Sequence, residues 1–291
     1  MMKLRLVQRI KRLFEKRNFK VLDCKGCFDL IAKKDKTFIL KILLNADAFK
    51  AEYARSMSNI GYFTGAKPFL ISLRSNRTKF LNRVIYQRFN IPLVTPKTFF
   101  ELVEGRKVKV AKKGKILVEI DAEKLKSRRQ ELNLSLAQLS KKIGISKKAL
   151  YEIENKRKKP LYETAKKIER VLRIRLMKQA NFRVEKMVEK EKGKIGFLSK
   201  KLEELGIENC AVKFSPFEIV GREKKSLIGK LVEDEKSLKE IEKVECIARF
   251  FDSSFFVITE KNLRTRIPSI PLSTLKNLKS KHEFLKLLTK I

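Results

Sequence analysis

Few residues in this chain have the type and spacing to do chemistry. Cys24-Lys25-Gly26-Cys27 is a lone C-x-x-C pair. A structural zinc site needs a second pair close in space, and Cys210, Cys246 and the single histidine, His282, are scattered along the chain. Cys24 and Cys27 do not open a helix as redox-active pairs of this spacing do, so they are expected to be ordinary small residues near a strand start. His282 stands in a Lys-rich helical stretch without a visible acid–base partner. There is no phosphate-cradling glycine loop and no serine-hydrolase elbow. No catalytic residue, cofactor or metal is therefore assigned. What remains is a dense set of hydrogen-bonding side chains. Lys147, Lys148, Tyr151, Glu152 and Asn155 are left on or near one outer face of a helix once Leu150 and Ile153 turn inward.

That helix has strong local signals around it. Ser135, three residues before Gln138, makes a capping-box pattern that starts a helix holding Leu136, Leu139 and Ile143. Gly144 can supply the left-handed residue that ends it, and Ile145 packs into the junction. Ser146 then caps the second helix, Pro160 stops it, and residues 164–172 supply a further amphipathic helix with Ala165, Ile168 and Leu172 inward. Two short helices joined by a tight glycine turn place the second where its outer face can enter a major groove.

The run from Leu134 to Pro160 closely resembles the helix-turn-helix of phage-repressor-like (XRE/Cro-type) regulators. The resemblance covers about 55 residues and rests on the Gly144-Ile145-Ser146 turn, the Ile153-Glu154 pair and the closing Lys159-Pro160. It implies that Lys147, Lys148 and Glu152 contact bases, Lys donating to guanine O6 and N7 and Glu accepting from cytosine N4. It places Asn155, Lys156, Arg157 and Lys158 near backbone phosphates, which position the module without specifying sequence. One departure stands out. The first residue of the earlier helix is commonly a DNA-contacting Gln in that family, and here it is Leu136, so that contact is expected to be lost.

On either side of this module the sequence predicts α/β structure. Leu6, Ile10, Leu13 and Phe14 give an opening amphipathic helix, and residues 28–32 and 37–44 a hairpin turned at Lys33 to Lys36. A helix is expected over 48–63, strands over 69–72 and 84–88, and a helix capped at Thr95-Pro96. The plan recurs. Phe28-Asp29-Leu30-Ile31-Ala32 meets Phe217-Glu218-Ile219-Val220-Gly221 at an offset of 189, which also places Lys41 on Lys230. Two later blocks match at shrinking offsets, so the second copy is expected to have lost about one strand.

A helix, an Asp at one strand and an acid-x-Lys triplet in the next make the arrangement of restriction-endonuclease-like folds, among them archaeal Holliday-junction resolvases. There two carboxylates hold Mg²⁺ and the Lys steadies the attacking water or the phosphate. The first copy resembles this at Glu15, Asp29 and Lys41, but the acid two residues before Lys41 is Ile39. The second shows Glu218 and Lys230 with Ile228 in that place. These five polar positions therefore read as vestigial. The whole arrangement looks like a family of archaeal predicted transcriptional regulators that set such a helix-turn-helix beside a degenerate nuclease-like domain.

Composition agrees with a polyanionic partner. The 291 residues hold 70 Lys and Arg against 33 Asp and Glu, a formal charge of +37, which favours nucleic acid first and an anionic membrane surface second. The 43% hydrophobic content suffices for cores. No apolar run reaches the roughly 18–20 residues that span a bilayer, no signal peptide is evident, and four cysteines make no disulfide scaffold, so a cytoplasmic setting is expected. The fold expected is α/β plus all-α, with two small restriction-endonuclease-like α/β domains flanking a central helical module. The boundaries expected are 1–118, the helix-turn-helix domain 119–178, a charged connector 179–194, and a shortened second α/β domain 195–291. The expected function is a non-enzymatic, sequence-specific transcriptional regulator that binds double-stranded DNA as a homodimer, with no membrane partner. A metal-dependent nuclease using Asp29 and Lys41, and a non-specific nucleic-acid-coating protein, stay open as alternatives.

Overall fold

In the computed structural model, which describes residues 2–106, 108–112, 115–178, 185–187, 193–260 and 266–289, the opening apolar periodicity becomes α1 (Met2–Glu15), which buries Val7, Ile10 and Phe14. β1 (Lys20–Asp23), β2 (Leu30–Lys33) and β3 (Thr37–Asn45) follow, then α2 (Ala51–Thr64) and β4 (Lys67–Arg74). Next come β5 (Val84–Arg88), β6 (Ile91–Val94), α3 (Pro96–Val103), β7 (Lys109–Lys112) and β8 (Lys115–Leu117). Four helices form the central module: α4 (Ala122–Glu131), α5 (Leu136–Ile143), α6 (Lys147–Glu154) and α7 (Tyr162–Leu172). The final segment contains α8 (Gly193–Glu204), β9 (Glu208–Ala211), β10 (Ile219–Arg222) and β11 (Ser226–Val232). It continues with α9 (Glu235–Lys239), α10 (Ile241–Phe250), β12 (Ser254–Thr259), β13 (Ser269–Pro271), α11 (Leu272–Asn277) and α12 (Lys281–Thr289). Most of the connector expected over 179–194 lies outside the described residues.

The chain forms two compact units. One holds residues 1–71, 89–91 and 183–291; the other holds 72–88 and 92–182. The two α/β repeats, which sequence places on either side of the helical module, thus fall largely into a single unit. Residues 72–118 fall mostly with the helices.

Within the first unit the repeat is visible strand by strand. β1, β2, β3 and β4 lie side by side in that order, as do β9, β10, β11 and β12, with β13 beyond β12. Leu30 pairs with Leu40 across the first hairpin, and Ile219 pairs with Gly229 across the second. Both residues are displaced by 189, so the two hairpins share one antiparallel register. The helices repeat as well. Ile10 and Phe14 of α1 correspond to Leu198 and Leu202 of α8 at an offset of 188, and all four are essentially fully buried. Asn18 at φ 59° and Gly206 at φ 76° terminate these helices in the same left-handed conformation. Among the described residues the second copy has no equivalent of β5 in chain order.

The repeats touch each other through α2, which packs against β9, β10 and β11. Arg222 at the end of β10 donates to the Phe63 carbonyl at the C-terminus of α2 (Nη2 to O 2.8 Å). Its counterpart at the end of β2, Lys33, reaches Asp252 just beyond α10 at 2.5 Å. Equivalent positions therefore exchange equivalent contacts, the signature of a two-fold (isologous) pairing, here made within one chain.

Candidate nucleic-acid interface

The helical module places its polar face by fixing its apolar one. Leu125, Leu139, Ile143, Leu150, Ile153, Ile168, Leu172 and Leu176 form one buried cluster, drawn from all four helices and the segment after α7. The capping box is complete: Ser135 Oγ accepts from the Gln138 N–H at 3.1 Å, and Gln138 Oε1 accepts from the Ser135 N–H at 2.8 Å. Gly144 adopts φ 78°, ψ 44°, and the N–H groups of Gly144 and Ile145 both donate to the Ser140 carbonyl. That left-handed residue, which costs glycine little, turns the chain into α6 within three residues. Ser146 Oγ accepts from the Ala149 N–H at 3.1 Å and closes the new N-terminus.

A buried ion pair locks the orientation of α6. Glu154 Oε1 accepts from Arg129 Nε at 2.7 Å and Oε2 from Nη2 at 3.0 Å. Arg129 also donates from Nη1 to the Leu134 carbonyl at 2.9 Å. One guanidinium thus ties the end of α6 to α4 and to the turn before α5, and the bidentate bond raises the guanidinium pKa. The sequence marks Glu154 only as one half of the Ile153-Glu154 pair; its partner lies 25 residues away and has no spacing signature.

With that face fixed, Lys147 and Lys148 are exposed in the first turn of α6 and Glu152 is half-buried on the next. None of the three side chains makes a hydrogen bond or ion pair among the described residues. Three of the four residues expected near phosphates have local partners, and all four are exposed. Asn155 donates to the Tyr151 carbonyl at 2.8 Å, the Arg157 guanidinium lies 5.8 Å from the Tyr151 ring centroid, and Lys156 pairs with Glu123 at 2.6 Å. Lys158 is unpaired among the described residues. Leu136 packs at the rim of the module core.

The nuclease-like positions are brought together only in part. Asp29 Oδ1 lies 3.3 Å from Lys41 Nζ and 2.9 Å from Lys3 Nζ, and Oδ2 accepts from the Ile42 N–H at 2.7 Å. Burial lowers the Lys41 pKa despite the adjacent carboxylate. Lys3, at the start of α1, is the helix residue that meets Asp29. Glu15 stands twelve residues further along the same helix, about 18 Å at 1.5 Å per residue. The second copy repeats the core of the motif: Glu218 Oε1 lies 3.2 Å from Lys230 Nζ, and Oε2 accepts from the Leu231 N–H at 2.7 Å. Burial raises the Glu218 pKa, and Lys230 also meets Glu240 at 3.1 Å. Ile39 and Ile228, where a second acid would stand, are fully buried. In Asp29 both ammonium groups lie on Oδ1 and the Ile42 N–H on Oδ2, so each carboxylate oxygen already has a partner. No group of three or more His, Cys, Asp or Glu is placed to hold a metal among the described residues. Nor is any described helix long and apolar enough to cross a membrane.

Comparison with known proteins agrees with this division. Residues 3–108 match the model of a PD-(D/E)XK superfamily domain, and residues 125–178 match that of a helix-turn-helix. Over most of its length the chain is similar to archaeal proteins that carry the name "Putative HTH-type transcriptional regulatory protein". One from Methanocaldococcus jannaschii is 28% identical over 92% of this chain and 89% of its own. One from Pyrococcus abyssi is 26% identical over 98% and 96%, and one from Archaeoglobus fulgidus 29% identical over 91% and 90%. No solved structure matches. The chain thus joins a PD-(D/E)XK superfamily domain to an XRE-type helix-turn-helix, and its relatives are archaeal proteins named as regulators.

Proposed function

We propose that this protein is a transcriptional regulator that reads the major groove of duplex DNA in a sequence-specific way through α6. The observation that carries the reading is the exposed pair Lys147 and Lys148, unpartnered among the described residues, on the first turn of a Ser146-capped helix whose apolar face is buried in the module core and whose last residue is held by the Arg129–Glu154 pair. The N-terminal turn carries the positive end of the helix dipole, which adds to the attraction for DNA. A single module of this kind reads about 4–5 base pairs. One chain carries one recognition helix, so a second must come from a second chain, and the reading includes a homodimer on a two-fold site.

Selection of bound fragments from genomic DNA, followed by competition binding, tests this. The selected operator should be preferred over random duplex by about 10³-fold or more. Lys147→Ala should erode that preference, while Lys158→Ala should weaken all duplexes equally and reduce the salt slope by about one unit. Equal affinity for operator and random duplex would overturn the reading in favour of a nucleic-acid-coating protein. The PD-(D/E)XK match and the Asp29–Lys41 pair favour one second reading, a metal-dependent nuclease. Incubation with branched and duplex DNA in Mg²⁺ or Mn²⁺ decides it: we expect no cleavage, and cleavage abolished by Asp29→Ala would establish the nuclease.

A further inference from the structure

α1 has two faces of opposite character. Val7, Ile10 and Phe14 are buried. On the other side Arg5, Arg9, Arg12 and Lys16 follow one another at i, i+4, i+7 and i+11, and all four are exposed. Their side chains make no ion pair or hydrogen bond among the described residues, whereas Lys3 and Lys11 of the same helix pair with Asp29 and Asp23. The stripe runs for about 16 Å, with one cation per turn of about 5.4 Å. Like charges three and four residues apart destabilise a helix, so the unliganded fold gains nothing from this arrangement.

The chain contains its own control. α8 is the same helix in the second repeat, with Leu198 and Leu202 in place of Ile10 and Phe14, and with the same closing bond (Phe19 N–H to Phe14 O, Ile207 N–H to Leu202 O). At the offset of 188 the four stripe positions fall on Gly193, Phe197, Lys200 and Glu204. Only Lys200 is basic, and it lies 3.8 Å from Glu204. The shared fold therefore requires the buried face in both copies and the cationic stripe in neither.

We infer that the Arg5–Arg9–Arg12–Lys16 face of α1 is a second DNA contact, binding the phosphate backbone of duplex DNA without reading sequence. Stable anchoring on a bilayer takes inserted apolar side chains beside the cations, and Val7, Ile10 and Phe14 of α1 are committed to the core. Duplex DNA presents one charge per about 1.7 Å of axis, a density that a row of cations one helical turn apart can follow. The choice of duplex DNA over other polyanions rests on the regulator reading above; the existence of the anionic contact does not.

The test uses the full chain carrying Arg5→Gln, Arg9→Gln, Arg12→Gln and Lys16→Gln together, with each single variant alongside. The measurement is the slope of log affinity against log salt for operator and random duplex. The quadruple variant should lose about 3.6 units of slope on both DNAs while keeping the operator-to-random ratio, and each single variant about 0.9 unit. Lys200→Gln in α8 should change neither. Melting curves no lower than the parent's exclude misfolding, and the single variants keep the test intact if the quadruple one fails to fold. An unchanged slope in folded variants overturns the inference, as does a loss confined to RNA or to anionic vesicles. A parent protein that shows no operator preference, yet still loses slope with the stripe, defeats the regulator reading alone.

Discussion

At the residue scale, the Arg129–Glu154 pair shows how burial turns an ordinary surface motif into a structural constraint. Both residues are at least nine-tenths buried, and removing one partner strands the other charge away from water. Glu154→Gln is therefore expected to cost about 3 kcal/mol, seen as a lowered melting temperature, whereas replacing both residues by apolar ones of similar volume should recover most of the loss. A cost below about 0.5 kcal/mol for the single change would mean that water already satisfies the guanidinium. The thiols give a second test. Burial pushes Cys27 up to about 12 and raises Cys24 further, while Cys246 is exposed. Since the thiolate is the reactive form, iodoacetamide at pH 8 should label Cys246 well before Cys24 or Cys27 in the native protein. Comparable labelling of Cys24 would contradict the packing described.

At the element scale, the two hairpins repeat one arrangement in which a carboxylate is tied to the neighbouring strand. Asp29 and Glu218 bind the same two groups at the same positions: a buried lysine on the neighbouring strand and the N–H of the following residue. Asp29→Ala and Glu218→Ala should accordingly each destabilise by on the order of 3 kcal/mol, measured by denaturant unfolding. A variant at either site that keeps full stability would point back towards a role in chemistry. Much of this was legible in the sequence. The Ser135-Gln138 box, Gly144 and Ser146 act on neighbours three or four residues away, so their spacing carries the information. The offset between Asp29 and Glu218 exposed the repeat for the same reason. β1 and β9 were not legible: at four residues each, with a charged or polar residue at one or both ends, they show no alternation and owe their strand form to pairing with β2 and β10. The contact of Lys3 with Asp29 was also hidden, because the helix end that meets the strand depends on packing direction.

At the scale of the whole molecule, the unit built from both repeats depends on contacts between residues 157 to 187 positions apart. Several of them end on main-chain atoms, which leave no trace in residue type: Arg222 on the Phe63 carbonyl, the Cys27 N–H on the Phe214 carbonyl, the Lys213 N–H on Ser56 Oγ. Gly26 is a point where the two chain segments come close. It adopts φ 133°, and a Cβ there would stand 2.0 Å from the Phe214 carbonyl oxygen, an atom that cannot swing aside as a side chain can. Gly65 is the natural comparison, with φ 74° and no atom within 4 Å of its would-be Cβ. Gly65→Ala carries only the conformational penalty of a left-handed residue, about 1–2 kcal/mol, whereas Gly26→Ala must also part the repeats. Hydrogen exchange should therefore quicken across β1–β3 and β9–β11 together in Gly26→Ala, with α4 to α7 unchanged. If the two alanine variants lost equal stability, or if only the first repeat loosened, the repeats would not form one cooperative unit.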